Sequence, residues 1–151
     1  MKKGFTLIEL LVVIGIISIL VAVVLVAIDP ATRFAEARNA RRWSEVRSIL
    51  SAVLKYASDN DGDLPAGIST SAKVLGTSGS GCDSTCTATS TASSCLNLET
   101  ELVDEYLGSI PVDPKTGTDS NTDYYIKKSA NGRITVGACD PELGETVYVI
   151  R

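Results

Sequence analysis

The chain has no histidine. Ser-His-Asp and Cys-His arrangements are therefore excluded, and with them the commonest routes to an activated nucleophile. It has no excess of basic charge either. Its 14 Lys and Arg against 18 Asp and Glu give a net charge of −4, the wrong sign for a surface that grips phosphates, so no nucleic-acid partner is expected. Paired C-x-x-C knuckles are missing. Cys82, Cys86 and Cys95 are followed only by the distant Cys139, a spacing that suits tetrathiolate zinc poorly. An even set of four cysteines fits two disulfides formed in an oxidising compartment. Between Leu10 and Ile28 the chain lacks charge altogether.

That uncharged stretch is interrupted only by Gly15 and Ser18. About 20 residues at ~1.5 Å each match the ~30 Å hydrocarbon core of a bilayer. Outside it the chain is polar and rich in Ser, Thr, Gly and Asp, and long enough for one compact domain. The sequence thus reads as a membrane helix joined to a small soluble head. A secretory signal would need a small-residue cleavage site after its apolar run, and no clean one follows. The carboxylate of Glu9 also sits at the mouth of the run, where a lone charge costs on the order of 2.5–3.5 kcal/mol. No basic residue lies between Lys3 and Arg33. Glu9 therefore needs a partner, unless it snorkels towards Lys3 as a simple anchor.

The residues Lys2-Lys3-Gly4-Phe5-Thr6-Leu7-Ile8-Glu9 resemble the prepilin cleavage and methylation motif of type IV pilins and type II secretion pseudopilins. The resemblance implies a cut between Gly4 and Phe5 by a membrane aspartyl prepilin peptidase, followed by N-methylation of Phe5. It also implies that Glu9 pairs with the Phe5 amine of a neighbouring subunit during assembly. The precursor would be a single-pass protein of the inner membrane with its leader in the cytoplasm and its head outside. An assembly ATPase and a platform protein would then draw it, with identical or related subunits, into an extracellular or periplasmic filament. The positive-inside rule pulls the other way, since four arginines follow Ile28 within fifteen residues and only Lys2 and Lys3 precede it. The motif is given precedence, because Asp29 and Glu36 accompany those arginines and the first segment usually sets orientation.

Beyond Ile28, apolar residues recur at helical spacing through Phe34, Trp43, Val46, Ile49, Leu50, Val53 and Leu54, which predicts a second, amphipathic helix over about Ala31 to Ser58. It is either continuous with the first or bent at Gly15 or Pro30. Arg33, Arg38, Arg41, Arg42 and Arg47 are read as its solvated or interhelical face. Asp59-Asn60-Asp61-Gly62-Asp63-Leu64-Pro65 ends it. An EF-hand is not met there, because Leu64 and Thr70 occupy the positions that need Gly and Glu. A short helix is expected over Asn97 to Leu107, then strands at Tyr124–Lys128, Ile134–Ala138 and Thr146–Ile150, with Asn131-Gly132 as a hairpin turn.

The expected fold is α+β, a long N-terminal helix on a small antiparallel sheet, as in type IV pilins. Its divisions are a leader at 1–4, a polymerisation helix at 5–28, an amphipathic helix at 29–58 and a head at 59–151. The head holds a Ser/Thr/Gly-rich loop at 67–94 and a sheet at about 123–150. That loop would be flexible if it were not stapled by cysteines. The preferred pairing is Cys82 with Cys86 and Cys95 with Cys139, although four cysteines allow three pairings. Leu102 to Gly117 and Tyr124-Tyr125 also resemble pilin and major pseudopilin heads, and the resemblance to major pseudopilins implies calcium in the loop before the last strands. Asp113, Asp119, Asn121 and Asp123 are the candidate ligands by their alternating spacing, and a solvated acidic turn is the plainer reading. No cofactor is otherwise expected. A membrane-tethered hydrolase would need a pocket that so small a head can hardly enclose. The rival to a filament subunit is a monomeric membrane-tethered binding protein, an adhesin or calcium module.

Overall fold

The computed structural model describes residues 4–151, so the leader residues Met1, Lys2 and Lys3 lie outside the described residues, as do the side chains of Ala27 and Ile28. The chain divides into two units, residues 1–35 and 36–151.

In the first unit, helix α1 spans Leu7–Ile28. At 1.5 Å per residue its 22 residues run for roughly 33 Å, and its Leu7–Val26 stretch is long and apolar enough to cross a membrane. None of that stretch is buried within the molecule. Its one polar side chain past the first turns, Ser18, donates to the carbonyl of Ile14 at 2.7 Å and so carries no unmet donor into lipid. Asp29 ends α1 in the left-handed region, φ 42, and helix α2, Pro30–Asp59, begins with proline as its first residue, where no intrahelical N–H is required. The Asp29 side chain accepts from Thr32 Oγ1 at 2.6 Å. The break thus falls at Asp29, and Gly15 lies inside α1.

In the second unit, α2 buries Val46, Ile49, Leu50, Ala52 and Val53 against Tyr124, Ile126, Ile134, Val136 and Ala138 of the sheet. Phe34 and Leu54, expected on the apolar stripe, stand exposed. The sheet has four antiparallel strands in the order β1-β2-β3-β4: Lys73–Val74, Tyr124–Lys128, Ile134–Ala138 and Tyr148–Ile150. The β2–β3 hairpin closes through Ser129 N to the Arg133 carbonyl at 2.7 Å, with Gly132 at φ 82, a value that favours glycine over any side chain. Gly137 of β3 lies against the Tyr125 ring, which would be 2.6 Å from an added Cβ.

Three expectations change. The helix over Asn97 to Leu107 is a single turn, α3, Glu99–Leu102. Asn97 does accept from the Glu99 amide at 2.9 Å, but Asp104 takes φ 75 and Leu107 N returns to the Leu102 carbonyl, which closes the turn. The segment at 67–94, expected as a stapled loop, also supplies β1, and it buries Ala72, Val74 and Leu75. Ala92 N bonds the Ala72 carbonyl at 2.9 Å and Leu96 N the Val74 carbonyl at 2.7 Å, so the Ser/Thr-rich chain lies along β1. The last strand is shorter than expected, because Val147 contributes only its carbonyl to Ala138 N.

Candidate functional site

The start of α1 is built by a capping box. Thr6 is the N-cap, and its Oγ1 accepts from the Glu9 amide at 3.3 Å. Glu9 reaches back, and its Oε2 accepts from Thr6 N at 2.9 Å and Thr6 Oγ1 at 2.7 Å. The pattern Thr-x-x-Glu was present in the sequence, and Thr6 is the site residue that reading missed. Before any cut, then, the carboxylate is already held at the helix mouth, where the peptide dipoles favour negative charge. Gly4 and Phe5 precede the cap and are exposed. Phe5 and the α1 side chains around Glu9 are all exposed, so the carboxylate sits within an unpartnered apolar surface.

The cysteines form Cys82–Cys95 and Cys86–Cys139. The preferred pairing of Cys82 with Cys86 and Cys95 with Cys139 is thus corrected. Residues 82–95 fold back on themselves, with Cys82 N bonded to the Ser93 carbonyl at 3.0 Å, which brings Cys95 to Cys82. Ala88 N bonds the Cys139 carbonyl at 3.1 Å and carries Cys86 to the end of β3.

The calcium candidates are drawn together only in part: the Asp113 amide donates to the Thr122 carbonyl at 2.9 Å, next to Asn121 and Asp123, and the four have different surroundings. Asp113 is committed to Arg42. Its Oδ2 accepts from Nε at 2.6 Å and its Oδ1 from Nη2 at 2.9 Å, with Lys115 N and Thr116 N also on Oδ1. A carboxylate so occupied does not fit a cation ligand, and Asp113 is withdrawn from that set. Asp119 is exposed in the turn closed by Thr118 and Asn121. Asn121 gives its amide to Thr85 Oγ1 at 2.9 Å and its Oδ1 accepts from Asp123 N at 3.2 Å. Asp123 is buried with Oδ1 unpartnered, and burial, reinforced by the charges of Asp140 and Asp113 against a Thr116 hydrogen bond, pushes its carboxyl up. Among the described residues no group of three or more His, Cys, Asp or Glu is placed to hold a metal ion.

Asp113 belongs instead to an ion network on α2. Arg42, read from sequence as part of a solvated or interhelical face, is fully buried, and Arg38 is partly so. Glu142 accepts from Arg38 at 2.6 and 2.8 Å, from Arg42 at 3.0 Å and from Lys115 at 2.8 Å. Asn39 clamps the same residue by its backbone, Nδ2 to the Glu142 carbonyl at 2.8 Å and Oδ1 from its amide at 3.0 Å. Glu45 links to the buried hydroxyl of Tyr124 and to Arg41. These contacts tie α2 to the head. They provide no nucleophile.

Residues 1–25 match the family model described as the prokaryotic N-terminal methylation motif. The N-terminus is therefore the prepilin motif of type IV pilin and pseudopilin precursors, and it points to a structural subunit anchored in the membrane and processed by prepilin peptidase. No curated protein matches the chain, and no solved structure does.

Proposed function

We propose that the chain is a filament subunit stored in the membrane, cut between Gly4 and Phe5, methylated at Phe5 and polymerised through α1. The observation that carries this reading is the exposed, uncharged surface of α1 around a single carboxylate, Glu9, fixed one helical turn from the amine that cutting would create. In lipid that surface is content. Neighbouring helices are equally apolar, so packing and a Glu9–amine pair must select the polymer over the bilayer. Once buried in a helix bundle, Glu9 without a cation costs roughly 3–5 kcal/mol, which makes it a register key for the incoming subunit. A platform protein and an ATPase would supply the extraction, with the head delivered outside the membrane.

The test is intact mass and N-terminal sequencing of membrane-extracted protein from a host with an active prepilin peptidase. A chain beginning at Phe5 and heavier by one methyl group supports the reading. Glu9→Ala should then be cut normally yet fail to polymerise. An attached leader, or a cut near Ala27, rejects it and favours a monomeric tethered binding protein.

A further inference from the structure

The head carries a knob and a groove that the polymerisation helix does not use. The knob is Leu143, which stands at φ 59 with 52% of its surface exposed, a backbone region that bulky residues rarely adopt. Gly144 follows at φ 70, and Glu145 N turns back to the Glu142 carbonyl at 3.1 Å. The strain is held by the preceding residue, since Asn39 grips the Glu142 backbone while Arg38, Arg42 and Lys115 grip its carboxylate. An exposed leucine held this firmly is pre-organised for contact, with the exposed Glu145 two residues on.

The groove, of about 430 Å³, lies between α2 and the edge strand β4. Leu50, Leu54 and Val149 supply its apolar lining, and Arg47, Ser51 and Arg151 its polar one. Arg47 lies over the Trp43 ring, 5.5 Å from its centroid, a stacking that leaves guanidinium N–H groups for a carboxylate. Charge and apolar character thus complement the knob: a leucine and a glutamate against a groove lined by three apolar side chains and two arginines.

The two surfaces sit at different places on one helix. The loop is anchored at Arg38, Asn39 and Arg42, whereas the groove uses Arg47, Leu50 and Leu54. With 3.6 residues per turn, these sets face directions roughly 110° apart and are centred about eleven residues, or ~16 Å, apart along the axis. A knob and a groove so displaced, when each copy uses its knob on one neighbour and its groove on another, make a heterologous contact, which runs on into a filament where its rotation does not close a ring. We infer that Leu143 and Glu145 of one copy dock in the Arg47–Arg151 groove of a second copy, giving the filament a head-to-head contact in addition to its helix core. The inference rests on the filament reading above.

Charge reversal tests it in the full chain, expressed with its peptidase and scored as filament recovered by shearing and pelleting. Arg47→Glu and Glu145→Lys should each lose filament while keeping both disulfides, and the double variant should regain it. Leu143→Gly relieves the left-handed strain, so the head should melt no lower than wild type while filament is lost. Single variants that polymerise like wild type, or a double variant no better than its parents, overturn the contact. If those variants are indifferent while Glu9→Ala still blocks assembly, only the head contact falls. If correctly cut wild type yields no filament, the filament reading fails, and this one with it.

Discussion

Arg42 of α2 and Asp113 of the loop before β2 form a two-pronged ion pair, at 2.6 and 2.9 Å, with neither side chain exposed. The pair joins residues 71 positions apart and fixes the face of α2 that the head covers. Burying one charge without the other is costly, and Arg42 would keep only its Glu142 ion pair at 3.0 Å, so Asp113→Ala should destabilise by up to roughly 3–5 kcal/mol, at most about 10–20 °C in thermal midpoint. Replacing both, as Arg42→Met with Asp113→Leu, should recover most of that loss. Near-UV circular dichroism of the full chain in detergent measures both. A single variant that melts within a few degrees of wild type would show that the pair adds little.

Acid should loosen the same network. Hydrogen bonds from Arg38 and Lys115 hold the Glu142 carboxyl well below its usual range. For Asp113, burial pushes upward, but the Arg42 hydrogen bond and the Lys115 and Thr116 amides outweigh it and leave its carboxyl lowered. A depressed folded value means that the unfolded chain takes up protons first. The stabilisation is therefore complete above about pH 5 and is lost as pH falls through the ordinary carboxylate range towards the folded values. The midpoint of wild type should fall steeply below about pH 5. Glu142→Gln should start lower and fall less steeply, and parallel curves would reject the assignment.

The membrane helix, the second helix to within a residue at each end, and strands β2 and β3 were legible because periodicity and turn chemistry are local signals. Gly4, Phe5 and Glu9 lie within six residues ahead of the charge-free run, so the motif matched at residues 1–25 was legible as well, although its N-cap, Thr6, was passed over. Arg42 was not. Five arginines on one helix look alike in sequence, and only the approach of Asp113 and Glu142 singles out the buried one. β1 escaped notice because two residues, Lys73 and Val74, carry no alternation. The disulfide pairing was hidden for the same reason as Arg42, since it depends on where residues 82–95 lie along β1.

The two disulfides should contribute unequally. Cys82–Cys95 closes a separation of 13 residues and Cys86–Cys139 one of 53. Loop-closure entropy then gives about 3 kcal/mol for the first and about 4 kcal/mol for the second. The longer link also pins the Ser/Thr-rich segment to the end of β3 through the Thr87 and Ala88 bonds to the Cys139 carbonyl. Cys86→Ser with Cys139→Ser should therefore lower the midpoint more than Cys82→Ser with Cys95→Ser, and should expose residues 82–95 to limited proteolysis. Equal losses, or the reverse order, would count against this arrangement.

Asp123 is held at φ 58 with its side chain buried, and Oδ1 has no partner. Burial first, then the charges of Asp140 and Asp113, raise its carboxyl, against an opposing hydrogen bond from Thr116. A raised folded value means that the neutral form suits the fold. Its contribution is full below the unfolded value near 3.9 and is lost as pH rises through the folded one. Asp123→Asn keeps the shape, tolerates the left-handed backbone and removes the charge. It should raise the midpoint at pH 7, by about 1–3 kcal/mol in stability, and the gain should shrink towards zero near pH 3.5. Thermal melts of both proteins across that range, in chelator and then in calcium, decide it. If Asp123→Asn is the less stable protein at pH 7 even in chelator, the buried carboxylate is a stabilising charge and the reasoning from its burial is wrong.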